Sequence, residues 1–514
     1  AALLPTEWEL RLADLNTIRL TEQDWQWADL VLISAMYIQR AGLLALVREA
    51  KRRGKTVVAG GPHPTSLPEA VLEAGCDFVV RGEGENTIPL LLEAMRLGKT
   101  GIIENSVEKP DMTTSPVPRF DLLRLSDYAT MTIQTSRGCP FDCEFCDVVN
   151  LFGRIPRYKT PKQVIAELEA LHRLGARGSV FICDDNFIGS KKRARAFLEE
   201  LTPWMRSRGE PFSFLTQASV NLGQDPEIID LMTAANLREV FIGIESPDEN
   251  VLHTSHKFHN IKNPLIESLY TLKKNGMEVI GSFIIGLDGE TKGAGERICA
   301  FIEQTAIPVT MLGVLQAAPH TSLWHRLGKE GRLRADVGDN LGTFSALNYE
   351  PDRPEADIMQ EYVDAWDYLY EPSRYLARAY RYYLAMRPAR KAQAVAAGGT
   401  LPEDRVPDQG MTWRRILIDI KAFFKILWWQ GLRPSYRRQV WTQLLGMWRQ
   451  NPTRFKQYFV TCVEGEDLFD MRKIVREKAT GIIRDRKIEG PAALQGRLAE
   501  APLEPSSSSA IQDK

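Results

Sequence analysis

Long apolar runs are missing from this chain. No stretch approaches the roughly 18 uninterrupted apolar residues that cross a bilayer, and no basic-then-apolar leader opens it. Charge of one sign is missing too: 65 basic side chains stand against 66 acidic ones, so nothing draws the whole molecule toward nucleic acid. Cysteine is scarce, with seven in 514 residues, and three of those fall within eight positions. That distribution excludes a secreted disulfide framework and leads us to expect a reducing, cytoplasmic setting. The first residue is not Met, and AALLPTEW reads as the end of a helix entering a turn, so chain is expected upstream of residue 1. What is present suits a folded protein of two or three domains, with 44% hydrophobic and 25% charged residues.

From Trp8 to about Met95, short apolar strands alternate with amphipathic helices: ELRLADLN, ADLVLISA, a helix through ALVREAKRR, KTVVAGG and CDFVVRGEGE. This is the alternation of an open parallel sheet, which binds ligands beyond the carboxyl ends of its strands. Those ends carry Asn16, Ser34, Gly60 to His63 and Gly82 to Glu85. The stretch KPDMTTSPVPRFDLL then breaks the periodicity and reads as a linker. Six strand-helix units follow between Met131 and Trp324, predicting a partial or full β/α barrel with its site at the carboxyl ends of the strands. Beyond about Arg326 the pattern is helical, and PSSSSAIQDK is a polar tail. The expected divisions are 1–108, a linker at 109–129, a barrel at 130–325, a helical extension at 326–504 and a tail at 505–514.

The segment TSRGCPFDCEFCDVVNLFGR sets Cys139, Cys143 and Cys146 at CxxxCxxC spacing just after the first barrel strand. Thiolates are soft ligands suited to iron-sulfur clusters or zinc. Three ligands on a cube of four irons leave one iron open to a substrate or cofactor. Zinc is the rival, although a structural zinc site is closed by four ligands and no His lies within about twenty residues. Gly138, Pro140 and Asp142 mark a loop, which disfavours three unrelated core thiols.

These cysteines, with Phe145 before the last of them, resemble the signature of radical S-adenosylmethionine (SAM) enzymes. The resemblance implies a 4Fe-4S cluster held by Cys139, Cys143 and Cys146. Its open iron would chelate SAM, which one electron cleaves to a 5'-deoxyadenosyl radical. It implies SAM contacts at Phe145, at Asp184 and Asp185 ending the second strand, at Gln217 and Ser219 ending the third, and at Glu245 and Ser246 ending the fourth. In GSFIIGL, Gly281 and Gly286 are similar to the family's adenine-facing strand, with Gly286 the expected contact. An Asp at the second strand end could equally cap the following helix. His320 could face substrate or be a loop histidine. His253, His256 and His259 in HTSHKFH suggest a substrate-side loop more than a metal site. Cys76, Cys183, Cys299 and Cys462 read as small core residues.

GGPHPT and VVRGEGE resemble the loops of the cobalamin-binding domain that precedes the barrel in one large radical SAM class. That implies cobalamin contacts at Ser34, Gly60, Gly61, Pro62, His63, Gly82, Glu83, Gly84 and Glu85. The DxHxxG axial-ligand motif does not occur, and the domain's first strand is expected upstream. An ordinary doubly wound domain with glycine turns is the alternative. The whole layout resembles the subgroup of hopanoid C-2 methylases and bacteriochlorophyll methylases. It implies cobalamin-dependent methylation of an unactivated carbon in a lipid or tetrapyrrole, with an electron donor such as ferredoxin or flavodoxin. Cyclisation or carbon-carbon coupling without methyl transfer, and a non-catalytic zinc module, are the competing readings.

Residues 411–460 hold Trp413, Trp428, Trp429, Trp441 and Trp448, with ten Lys or Arg against one acidic residue, Asp419. Aromatics interleaved with cations fit a peripheral membrane contact, with RRILIDIKAFFKILWW the best segment. Docking of these aromatics on the barrel is the alternative. No RNA-binding signature accompanies them, so no nucleic-acid partner is expected.

Overall fold

The apolar runs assemble into two separate parallel sheets. The computed structural model describes residues 1–105, 108–334, 346–396, 428–432 and 434–500. Trp413, most of RRILIDIKAFFKILWW and the 505–514 tail lie outside the described residues.

The first sheet contains β1 (Leu30–Ser34), β2 (Thr56–Gly60), β3 (Phe78–Arg81) and β4 (Gly101–Glu104), side by side in that order and all parallel. Alternation within β2 sends Val57 and Ala59 to one face, where they pack with Leu43 and Val47 of helix Arg40–Arg52. Val58 goes to the other face with Val80 and Leu91 of helix Gly84–Arg96. Two cores on one sheet make the domain doubly wound.

ELRLADLN, expected as a strand, is irregular and ends in a turn. β1 is an edge of its sheet, yet this segment does not pair with it: the two line a common cavity of about 1670 Å³, with Leu10 and Leu12 from this segment and Leu30 and Leu32 from β1.

The second sheet begins with β5 (Thr130–Ile133). After it come the two-residue antiparallel pair β6 (Ser136–Arg137) and β7 (Arg157–Tyr158). Then follow β8 (Gly178–Ile182), β9 (Phe212–Ala218), β10 (Leu237–Glu245), β11 (Glu278–Ile285) and β12 (Thr310–Val314). The order β12-β11-β10-β9-β8-β5 is fully parallel and open, so the barrel is partial. Strict alternation of burial in β9 and β11 reflects an inner and an outer face.

The helical extension seals the base of this barrel. Tyr370 donates to the Thr310 carbonyl at 2.5 Å and Trp366 to that of Leu312 at 3.2 Å, so the edge of β12 is covered. Tyr382 donates to the Met277 carbonyl and accepts the Val279 N–H at the start of β11. Arg378, fully buried, donates to the carbonyls of Ile307 and Leu369 and pairs with Glu303. The aromatics that dock on the barrel are thus those of helices Glu355–Leu369 and Pro372–Ala385, whereas of the tryptophans in 411–460, Trp428, Trp429, Trp441 and Trp448 stand exposed.

Glu239, half-buried at the start of β10, is pushed up to about 7 from 4.5 by desolvation and by the carboxylates of Glu278 and Glu464. Between those two values the native chain keeps a proton that the unfolded chain has shed, so stability falls as pH rises through this window. Glu239→Gln is expected to stabilise the protein by about 1–2 kcal/mol above neutral pH, after allowance for solvent screening. It should be neutral near the unfolded pKa. Thermal unfolding across pH checks this, and an equal gain at acid and alkaline pH would refute it.

Candidate active site

Glycine and a short strand pair shape the cysteine loop. β6 and β7 clamp its two ends, and Gly138 lies at φ 96°, where an added Cβ would stand 2.9 Å from the Gly153 carbonyl. Beneath it Asp184, at the end of β8, is fully buried. Its carboxylate accepts the N–H of Thr135 at 2.6 Å, the N–H of Ser136 at 2.9 Å and both residues' hydroxyls. Asp184 thus spends its oxygens on the backbone that leads into the loop. Asp185 accepts the Gly138 N–H at 2.7 Å, and burial pushes its carboxyl up to about 6.

Cys139, Cys143 and Cys146 are all reduced and partly buried. Desolvation raises all three thiols, Cys143 to about 11 and Cys146 to about 12. As bare thiols they would stay protonated. An iron cluster reverses that preference, because its own positive charge favours thiolate, so the donor set fits such a group.

The loop is held by groups far away in sequence. Glu144, buried between Cys143 and Phe145, takes two hydrogen bonds from Arg326 at 2.8 and 3.0 Å, and its carbonyl accepts the Leu323 N–H. Its own N–H donates to the Ser255 carbonyl. Phe141 stacks on His259 with ring centroids 3.8 Å apart. Lys257 is buried, donates to Glu245 at 2.5 Å and lies 5.8 Å from the centre of the Phe145 ring. Burial pulls this ammonium down, yet the charges of Glu245 and the Cys143 thiol outweigh it and the net shift is upward. Glu245 sits at φ 65°, and a Cβ on Gly243 would come within 2.8 Å of both partners, so the glycine of GIES makes room for the pair. Asn260 donates to the carbonyls of Gly243 and Ile244, closing the wrap.

Other expected contacts surround this centre. Ser219 is bonded to Asn186 and Asn221, Ser246 accepts the Asp248 N–H, and Gln217, next to last in β9, is partly exposed. Gly286, at φ 98°, gives its N–H to Glu290 and its carbonyl to Tyr349. The histidines of HTSHKFH share no centre: His253 and His256 flank Phe258, while His259, pushed down to about 3 by burial and Lys257, is neutral against Phe141.

The first domain presents its loops to the same place. Gly61, at φ 93°, lies so close to Ser34 that a Cβ would stand 2.7 Å from the hydroxyl, beside Gly60, Pro62 and the buried His63. Gly82 donates to Thr65, and Gly84 opens the next helix. Glu83 pairs with Arg137 and Arg157, each at 2.7 Å, and Glu85 with Arg137 at 2.9 Å. Burial opposes it, yet Arg137 and Ser115 hold Glu85 down at about 2. Both carboxylates are therefore directed at the barrel. Tyr37 donates to Asp147, next to Cys146, at 2.7 Å and meets the Ser66 hydroxyl at 2.5 Å; His320 contacts the Ser66 carbonyl at 2.8 Å. Tyr37, Asp147, Asn186, Arg137, Lys257 and Arg326 were not singled out in sequence. Lys257 alone left a signal, as the cation inside a cluster read for its histidines.

An open parallel barrel with three thiols on the loop after its first strand, abutting a doubly wound domain, defines a radical SAM enzyme with a companion cofactor domain. Family models agree: the Radical SAM superfamily matches residues 133–302, the B12 binding domain residues 8–92, and a domain of unknown function (DUF4070) residues 321–480. An uncharacterized methyltransferase of Synechocystis is 44% identical over 485 residues, covering 94% of this chain and 87% of that protein. The hopanoid C-2 methylase of Rhodopseudomonas palustris is 35% identical over 457 residues, covering 87% and 84%. A solved structure of the cobalamin-dependent SAM radical enzyme OxsB shares the fold, with TM-score 0.53 and 15% identity over 92% of this chain and 76% of that one.

The chain belongs to the family of radical SAM methyltransferases that carry a B12 binding domain. It is an enzyme, and the family's cofactors are a 4Fe-4S cluster, SAM and cobalamin. A zinc-binding module and a cyclase are not favoured. Among the described residues no helix is long and apolar enough to cross a membrane.

Proposed function

We propose that this enzyme methylates an unactivated carbon of a polycyclic or similarly hydrophobic lipid. When bound, the cluster and SAM supply a deoxyadenosyl radical and cobalamin supplies a methyl group. The observation that carries the reading is the junction of the two domains at the cysteine loop. Arg137 on one end of the loop grips Glu83 and Glu85, and Asp147 on the other receives Tyr37, so the corrin-side loops stand against the radical source. Methyl transfer to a carbon radical needs that adjacency. The lipid class comes from the likeness to the hopanoid C-2 methylase.

In this reading Cys139, Cys143 and Cys146 are the cluster ligands, and Lys257 offsets the negative charge of three thiolates. Phe145, Asp185, Gln217, Ser219, Glu245, Ser246 and Gly286 border SAM, while Asp184 shapes the loop from below. Ser34, Gly60 to His63, Gly82 and Gly84 border cobalamin, with Glu83 and Glu85 orienting that domain. His320 stands on the substrate side, and a ferredoxin or flavodoxin delivers the electron.

Anaerobic reconstitution with iron, sulfide, SAM and methylcobalamin, followed by incubation with polycyclic lipid extracts and a low-potential chemical reductant as electron source, tests the proposal. The expected result is a lipid heavier by one methylene together with 5'-deoxyadenosine. Methylation of tetrapyrrole pigments in place of lipids would overturn the substrate class.

A further inference from the structure

Helix Arg437–Gln450, RRQVWTQLLGMWRQ, has an apolar face broader than the stripe it buries. Val440, Leu444 and Met447 are buried against the helical layer beneath the barrel. On the adjoining flank, about 100° round the helix, Trp441, Leu445 and Trp448, at spacings of four and three residues, stand in solvent at 46%, 45% and 62% exposure. The turn before the helix extends this face. Trp441 donates its indole N–H to the Gly431 carbonyl at 2.8 Å, and a Cβ on Gly431 would press on that ring at 3.1 Å. Trp428, Trp429 and Leu432 on the same turn are 57%, 48% and 56% exposed. Four tryptophans and two leucines are thus exposed on this helix and on the turn packed against it through Trp441, more than the single scattered apolar side chains of an ordinary surface.

The charge around this face decides what covers it. Arg437, Arg438 and Arg449 are exposed at the two ends of the helix, and no carboxylate among the described residues pairs with them. From Trp428 to Val460 the sequence contains no Asp or Glu at all. A second copy of the chain would bring like charges together, and the basic stretch 411–427 would do the same. An anionic bilayer supplies the complement: its headgroups pair with guanidinium groups while indole rings settle at the headgroup level.

We infer that this tryptophan-arginine face is a docking surface for anionic membranes. It lies with the helices under the amino-terminal ends of β11 and β12, away from the cysteine loop at the carboxyl ends. It therefore anchors the enzyme and does not admit substrate, and it stands independently of the substrate class proposed above.

The test is flotation of the anaerobically reconstituted enzyme with vesicles of phosphatidylcholine alone and of phosphatidylcholine with phosphatidylglycerol. Binding is expected to be at least about tenfold tighter to the anionic vesicles and to weaken as salt is raised. The double variant Trp441→Ser, Trp448→Ser should lose binding while keeping SAM cleavage. Arg437→Glu with Arg438→Glu should lose the preference for anionic lipid. Failure to bind either vesicle would overturn the inference. So would sedimentation as a dimer that the tryptophan variant dissociates, because a second copy would then own the face.

Discussion

Cys143→Ala is expected to give a folded chain without a 4Fe-4S cluster and without 5'-deoxyadenosine production. Cys143 lies on a partly exposed loop and contributes nothing to the two sheet cores, so its loss leaves the fold intact. The loop's shape rests instead on Gly138, Asp184 and Glu144. Two remaining thiols cannot retain a cube that three hold, since each thiolate occupies its own iron. The check is iron and sulfide analysis after anaerobic reconstitution, with circular dichroism as the folding control. The parent should carry about four irons in this cluster and the variant less than one. A variant retaining both the cluster and SAM cleavage would sink the ligand assignment.

The second large effect is expected at Lys257. In Lys257→Met the carboxylate of Glu245 is left buried and unpaired beside three thiolates, which costs roughly 3–5 kcal/mol. The variant should unfold at a clearly lower temperature and cleave SAM at least about a hundredfold more slowly. Adding Glu245→Gln removes the stranded charge, so stability should return. SAM cleavage should not return, because the buried ammonium beside Phe145 and Cys143 is still missing. If the double variant regained activity along with stability, the pair would be structural and its role at the cluster refuted.

These two residues show how legible the site was. Cys143 belongs to a local pattern, three thiols at fixed spacing among turn residues, and such spacing survives in any fold. Lys257 belongs to no local pattern. It reaches the loop only because β10 ends in a left-handed Glu245 and the following residues fold back over Gly243. Glu83 and Glu85 show the same limit. As residues on a glycine-bearing loop they read as cofactor contacts, whereas their carboxylates face guanidinium groups from another domain. ELRLADLN had the composition of a strand but stays irregular beside the free edge of β1, across a cavity that both line.

What the sequence determined by itself was everything that repeats or clusters along the chain: two alternating strand-helix regions, the cysteine loop, the glycine loops and the helical tail. Periodicity and short spacing are properties of the covalent chain, and burial of apolar surface converts them into sheets and helices almost regardless of context. The tertiary structure alone decided which charges meet at the loop, that the barrel is open and sealed by Tyr370 and Trp366, and which tryptophans stay in water. Those outcomes depend on contacts between residues far apart in sequence. No local pattern encodes them, because a partner's distance along the chain says nothing about its distance in space.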